Sequence, residues 1–251
     1  MWINLNNPPV AVALLQIKFN ASQFDLKKVL SFDKELKDEL PIRKENLKVG
    51  IDLGSTSIPL GVSKVSGTTN ASLSGYLYTS KDQKQKIEIL SDGITYIDET
   101  PYEGWDVFKQ RALKMLGILS PMLGIIEITR TSIRFVNRIH FPNFDQPTDY
   151  INTIISSTNS NTQPYPLIQY GFRLMMNVPE SDIVSVVNHN VESLPQNEYL
   201  YTLDIDVLDR QCLIFDIETI SLNIEKLREV KNTIFFDTLT KKTIDLCNSK
   251  Y

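Results

Sequence analysis

The chain is poor in the residues that most often carry chemistry. It has only two cysteines, Cys212 and Cys247, and two histidines, His140 and His189. Two cysteines make no disulfide framework, and a Cys/His metal centre would consume almost every such ligand available. There is no Gly-x-Ser-x-Gly, no His-Glu-x-x-His and no glycine-rich dinucleotide fingerprint. Neither histidine has a patterned acidic partner, so the reading assigns no catalytic residue, no phosphate-binding residue and no cofactor. No apolar run approaches the roughly 20 residues of a membrane span. The run at 10–15 is short and has no basic residue before it, unlike a signal peptide. With so little cysteine, the expectation is a cytoplasmic protein without membrane association. An excess of cations is lacking too: Lys and Arg number 26 against 30 Asp and Glu, for a net charge of −4. That argues against a non-specific nucleic-acid binder. The aromatic residues, 9% of the chain, do not alternate with basic ones as a base-stacking platform requires.

What is present is ordinary globular composition, 42% hydrophobic and 22% charged, in 251 residues. That length fits one large domain or two small ones. A strand is read at 10–19. The segment 22–40 reads as one amphipathic helix, broken near Ser31-Phe32-Asp33 and stopped by Pro41. Strands follow at 48–53, 58–65, 75–81 and 86–98, the last folded at Asp92-Gly93. Thr100-Pro101-Tyr102-Glu103 reads as a helix start, with a threonine cap and proline at the first helical position. Trp105, Phe108, Ala112, Met115, Leu116, Leu119 and Leu123 then hold helical spacing. The longest strand is 125–141, with a bulge read at Ser132, where the alternation changes phase. A short helix at 148–156 leads to a polar, uncharged linker at 156–164. Strands at 167–178, 199–209 and 212–215 follow, with a short helix or turn at 179–192. A long helix over 218–246 packs through Leu222, Leu227, Ile234, Phe235 and Leu239. Cys212, on an apolar strand, reads as a small core residue.

Tyr76-Leu77-Tyr78-Thr79 recurs as Tyr199-Leu200-Tyr201-Thr202. Strands followed by a covering helix, twice over, predict an α+β protein of antiparallel sheets under long amphipathic helices. The echo allows two related halves, 1–155 and 165–251, or one continuous domain.

The opening Leu5-Asn6-Asn7-Pro8-Pro9-Val10, its strand ending in Gln16-Ile17-Lys18-Phe19, and the central strand Thr131-Ser132-Ile133-Arg134-Phe135-Val136-Asn137-Arg138-Ile139 together resemble an uncharacterised, sporadically distributed family of prokaryotic proteins of similar length. That family has an Asn-Pro-Pro-hydrophobic first strand and a central Arg-aromatic-hydrophobic-Asn-Arg strand. Thr131-Ser132 departs from it, since the family favours a hydrophobic residue followed by glycine there. The resemblance implies no established activity, and the family's patchy distribution implies an accessory or defence-associated role.

Three constellations stand out. Gly50-Ile51-Asp52-Leu53-Gly54-Ser55-Thr56-Ser57 is similar to the first phosphate loop of actin-like ATPases and sugar kinases. No second glycine-rich loop follows, and Pro59 interrupts the return strand, so the favoured reading is a plain turn. On the strand at 199–209, alternation puts Asp204 and Asp206 on one face, where two carboxylates suit Mg²⁺. On the central strand Arg134, Val136, Arg138 and His140 share a face, with Arg130 nearby. These guanidinium groups suit a ligand groove, an acidic-partner surface, or internal ion pairs with Asp204 and Asp206. Asn137 falls on the apolar face and is expected to satisfy backbone groups. The leading expectation is a non-catalytic accessory protein that binds a protein partner through Arg130, Arg134, Arg138 and His140. The first alternative is a Mg-dependent nucleotide or polyphosphate enzyme, which needs Asp204 and Asp206 in one cavity with Arg134 and Arg138. The second is a nucleic-acid binder.

Overall fold

The computed structural model describes residues 2–52, 68–124, 126–142, 147–152 and 169–248. The strand read at 58–65, the Gly54–Ser57 part of the loop-like motif and the linker at 156–164 lie outside them. Gly50 to Asp52 form the end of a strand.

The chain opens with β1 (Val10–Phe19), then two short 3₁₀ turns and α1 (Asp33–Glu39). The break read near Ser31-Phe32-Asp33 is where 3₁₀ gives way to α-helix. A meander follows: β2 (Ile42–Asp52), β3 (Thr68–Thr79), β4 (Gln85–Leu90) and β5 (Gly93–Asp98). Next come α2 (Trp105–Leu123) and the long β6 (Glu127–Phe141). A second meander holds β7 (Gln169–Asn177), β8 (Ile183–Ser193) and β9 (Tyr199–Asp209). The chain closes with the two-residue β10 (Leu213–Ile214), α3 (Ile217–Thr238) and α4 (Lys241–Leu246).

The protein is therefore mixed α+β, with one antiparallel sheet instead of several. The 10-stranded sheet runs β2-β3-β4-β5-β1-β6-β9-β8-β7, with β10 beside β6. β1 and β6 pair at its centre, so the sheet is unbroken between the two meanders. The Tyr-Leu-Tyr-Thr echo falls on β3 and β9. β9 adjoins its central strand β6, whereas β4 and β5 lie between β3 and β1, so the echo occupies positions that do not correspond.

One face of the sheet is covered. α2 packs against β5, α1 and α3, and α3 lies over β6, β9 and β8. The alternation dictates which side chains go under the helices: Ala13, Leu15 and Ile17 on β1, Ile133 and Phe135 on β6, and Tyr201, Leu203, Ile205 and Val207 on β9 are all buried. All seven apolar residues read on the α2 face are buried as well.

Several local readings are corrected by context. α2 starts at Trp105, with Gly104 at its cap at φ +115°, a conformation that favours glycine. Thr100 turns away from capping and donates its hydroxyl to Asp98, while Glu103 pairs with Arg111. The phase change on β6 comes from a bulge at Thr129, not at Ser132: Lys18 faces Arg130 and Phe19 faces Ile128. Residues 147–152 hold a 3₁₀ turn and an isolated bridge where the sequence suggested a helix. The segment read as a helix or turn at 179–192 is mostly β8. The helix over 218–246 is two helices. Leu239 is extended and bridges Ile151, and Asn152 donates to the Leu239 carbonyl, which ends α3. Leu222 faces solvent and Cys212 is exposed, so neither belongs to the core.

Candidate functional site on the open sheet face

Among the described residues no helix covers the opposite face of the sheet, and the register lays out its side chains as a grid. One row runs Met175, Val186, Asp206, Arg134, Leu14, Ile97, Lys86, Thr79 and Ile42 across the strands. The next runs Arg173, Asn188, Asp204 and Val136. A third puts Arg138 beside Thr202 and Asn190, and a fourth puts His140 beside Leu200. The face-sharing read from period-two alternation thus holds for β6 and β9, and the residues singled out there lie side by side.

Their roles differ. Arg134 grips Asp204 with both arms of the guanidinium: Nε donates to Oδ1 and Nη2 to Oδ2, each at 2.7 Å. Asn188 donates to Asp204 Oδ2 at 3.1 Å. The fork geometry makes this a strong charge-assisted pair. Arg130 donates to Gln16 on β1. Arg138 and His140 are exposed and make no side-chain hydrogen bond or ion pair among the described residues. Asn137, on the covered face, donates to the Leu203 carbonyl at 3.0 Å, the local role expected of it.

Asp206 differs from Asp204. Its Oδ1 is buried without a partner among the described residues. Burial pushes its carboxyl above the ordinary value, and the charge of Asp204 adds to this, while Arg134, Arg130 and Arg173 pull the other way. Arg173, on β7, and Asn188, on β8, join this cluster with no local signal in the sequence. Arg173 reaches the cluster only through the pairing of β7 with β8, and Asn188 sits in a segment not read as a strand.

These two aspartates call for different outcomes. Arg134 is about half exposed, with 47% of its side chain accessible against 10% for Asp204. Breaking a fully buried pair costs about 3–5 kcal/mol, and solvent screening at Arg134 reduces this to about 1–3 kcal/mol for Arg134→Ala. Asp206→Asn removes a poorly solvated charge and is expected to change stability by less than about 1 kcal/mol. Urea midpoints of the two variants at neutral pH check the ranking.

Chemically, the chelating oxygens of Asp204 are already engaged by Arg134. No group of three or more His, Cys, Asp or Glu side chains placed to hold a metal occurs among the described residues. A crevice of about 10 Å³, lined by Asp98, Thr100, Tyr102 and Arg111 among others, has room for one water and lies away from this face. Among the side chains described, the open face carries Lys18, Lys44, Lys86, Arg130, Arg134, Arg138 and Arg173 against Glu88, Glu127, Glu192, Asp204 and Asp206, and Asp92 and Glu99 pair there with Lys18 and Lys86. Among the described residues no helix is long and apolar enough to cross a membrane.

No family model, no curated protein and no solved structure matches the chain.

Proposed function

We propose that the protein is a non-catalytic accessory protein that docks a protein partner on the open face of its sheet, along β6. The observation that supports this most is the pairing of two states on one strand. Arg134 is consumed internally by Asp204, whereas Arg138 and His140, two and three rows on, are exposed and have no partner among the described residues. Exposed guanidinium groups on a rigid strand are pre-positioned to fork onto carboxylates of an incoming surface. The internal use of Arg134 also takes from the Mg-dependent reading the cation it needs for phosphate and the carboxylate it needs for metal.

Affinity capture from the native host, with mass spectrometry, tests the reading. A stoichiometric protein retained by wild type and lost with Arg138→Glu, at an unchanged thermal midpoint, is the expected result. The loss expected for one reversed interface charge is at least tenfold in affinity. Turnover of a nucleoside triphosphate with Mg²⁺, abolished by Asp204→Asn, would instead establish the enzyme reading. Salt-dependent retention on duplex DNA would establish the nucleic-acid one.

We also infer that the two halves descend from one unit. Each of 1–155 and 165–251 holds a meander of antiparallel strands, β2–β5 and β7–β9, with a long helix, α2 or α3, next or soon after.

A further inference from the structure

The two edges of the sheet are not alike. β2 carries Arg43, Lys44 and Glu45 in succession, the charged dress that blocks strand pairing. β7 has a neighbour on one side only among the described residues, and its sequence is Gln-Tyr-Gly-Phe-Arg-Leu-Met-Met-Asn. Its one charge is Arg173. Met175 is 63% exposed and Met176 38%. The strand holds no proline, and β7 follows β8 in unbroken register over its whole length. It is a regular, largely apolar edge that no described residue covers, and such an edge recruits another strand.

We propose that β7 pairs antiparallel with β7 of a second copy of this chain, about a two-fold axis at Leu174, joining the two sheets edge to edge. The charge pattern selects this occupant and this register. A two-fold at Leu174 places Arg173 opposite Met175 of the other copy and Phe172 opposite Met176. Each facing pair then lies on one side of the joint sheet, and the two guanidiniums stand diagonally. A two-fold at Arg173 would set them directly opposite, about 5 Å apart at Cβ. A copy of β7 is also apolar where β7 is apolar, whereas β2 would bring Arg43 or Lys44 against the strand that carries Arg173. The joint keeps the open faces on the same side, so it is compatible with docking on β6 and does not depend on it.

One nine-residue edge is smaller than a standard interface, so the association is expected to be weak, with a dissociation constant of about 10–100 µM. Sedimentation velocity on the full chain, from about 5 to about 500 µM, is expected to show a monomer giving way to a dimer and no larger species. Met175→Lys puts a third and fourth cation at the joint and should weaken the dimer at least tenfold. Leu47→Lys, on the exposed edge strand β2, should leave it unchanged. A monomer at every concentration overturns the proposal, as does growth into open-ended oligomers, which marks pairing of β7 with β2. Dimerisation that Leu47→Lys abolishes and Met175→Lys spares overturns it as well. Both substitutions are at exposed positions, and circular dichroism of each variant at the same concentrations confirms that the fold is retained.

Discussion

Trp105→Ala is expected to lower stability by about 3–5 kcal/mol, the usual cost of deleting a large buried aromatic ring. Trp105 opens α2 and is 6% exposed. Its ring lies 5.9 Å from Phe108 and 6.3 Å from Phe135, and the Arg228 guanidinium sits 5.3 Å above it from α3. One side chain therefore joins α2, α3 and the central strand β6. Its Nε1 also donates to Glu225 at 2.8 Å. Glu225 keeps Lys109 and Arg228 as partners when the indole is gone, so the loss is mainly one of packing. For a chain of this size the thermal midpoint should fall by roughly 6–20 °C. Trp105→Phe, which retains most of the buried area, should lose less than half as much. An unchanged midpoint for the alanine variant would mean that the two helices are not anchored through this ring.

Acidification is the second large effect. His189 lies on the covered face of β8, 3% exposed, stacked on Phe172 with ring centroids 4.2 Å apart. Its Nδ1 shares a hydrogen bond with the Tyr201 hydroxyl at 2.8 Å, and its Nε2 is buried without a partner among the described residues. Burial without a counter-charge pushes its pKa down to about 4. Between that value and the ordinary one near 6.5, the unfolded chain takes up a proton that the folded chain refuses. Stability is therefore unaffected above about pH 6.5 and is lost as pH falls toward 4, by about 3 kcal/mol in all. Asp206 acts with the opposite sign. Its raised folded value contributes stability that is present at low pH and disappears as pH rises. His189→Gln separates the two, because it removes the imidazole and leaves Asp206. Urea midpoints measured from pH 7 to pH 4 should fall less steeply for His189→Gln than for wild type. Parallel slopes would show that His189 titrates normally.

Much of the fold can be read from alternation and helical spacing. β1, β6 and β9 each bury every second residue. The seven-residue apolar stripe of α2 is the one the structure buries, and the turn expected at Asp92-Gly93 falls one residue earlier, at Ser91-Asp92, with Gly93 already paired to Leu90 in β5. Gly93 is required there: a Cβ would come within 2.7 Å of the Ile17 carbonyl on the neighbouring strand. The failures come where a segment's state is set by something distant in sequence. β8, with Val184, Val186 and Val187 among Ser185, Asn188 and His189, lacks clean alternation because both of its faces are largely shielded. Leu239 satisfies a helical pattern, yet its backbone is claimed by residues 150–152, which no local signal announces. Leu222 is apolar by type and exposed because it lies on the side of α3 opposite Ile220, Ile224 and Leu227, and Cys212 is exposed just before β10.

The candidate site divides in the same way. By itself the sequence determined which side chains share a face of each strand, because side-chain direction along a strand follows from backbone geometry alone. That much placed Arg134, Arg138 and His140 together and Asp204 with Asp206. Only the tertiary structure decided that β6 and β9 are neighbours in a register that sets Arg134 opposite Asp206 and within reach of Asp204, and that Asn188 and Arg173 join them from further strands. Strand order and register are fixed by the packing of the helices and by which edges close. Those contacts join residues far apart in the chain, and local pattern carries no record of them.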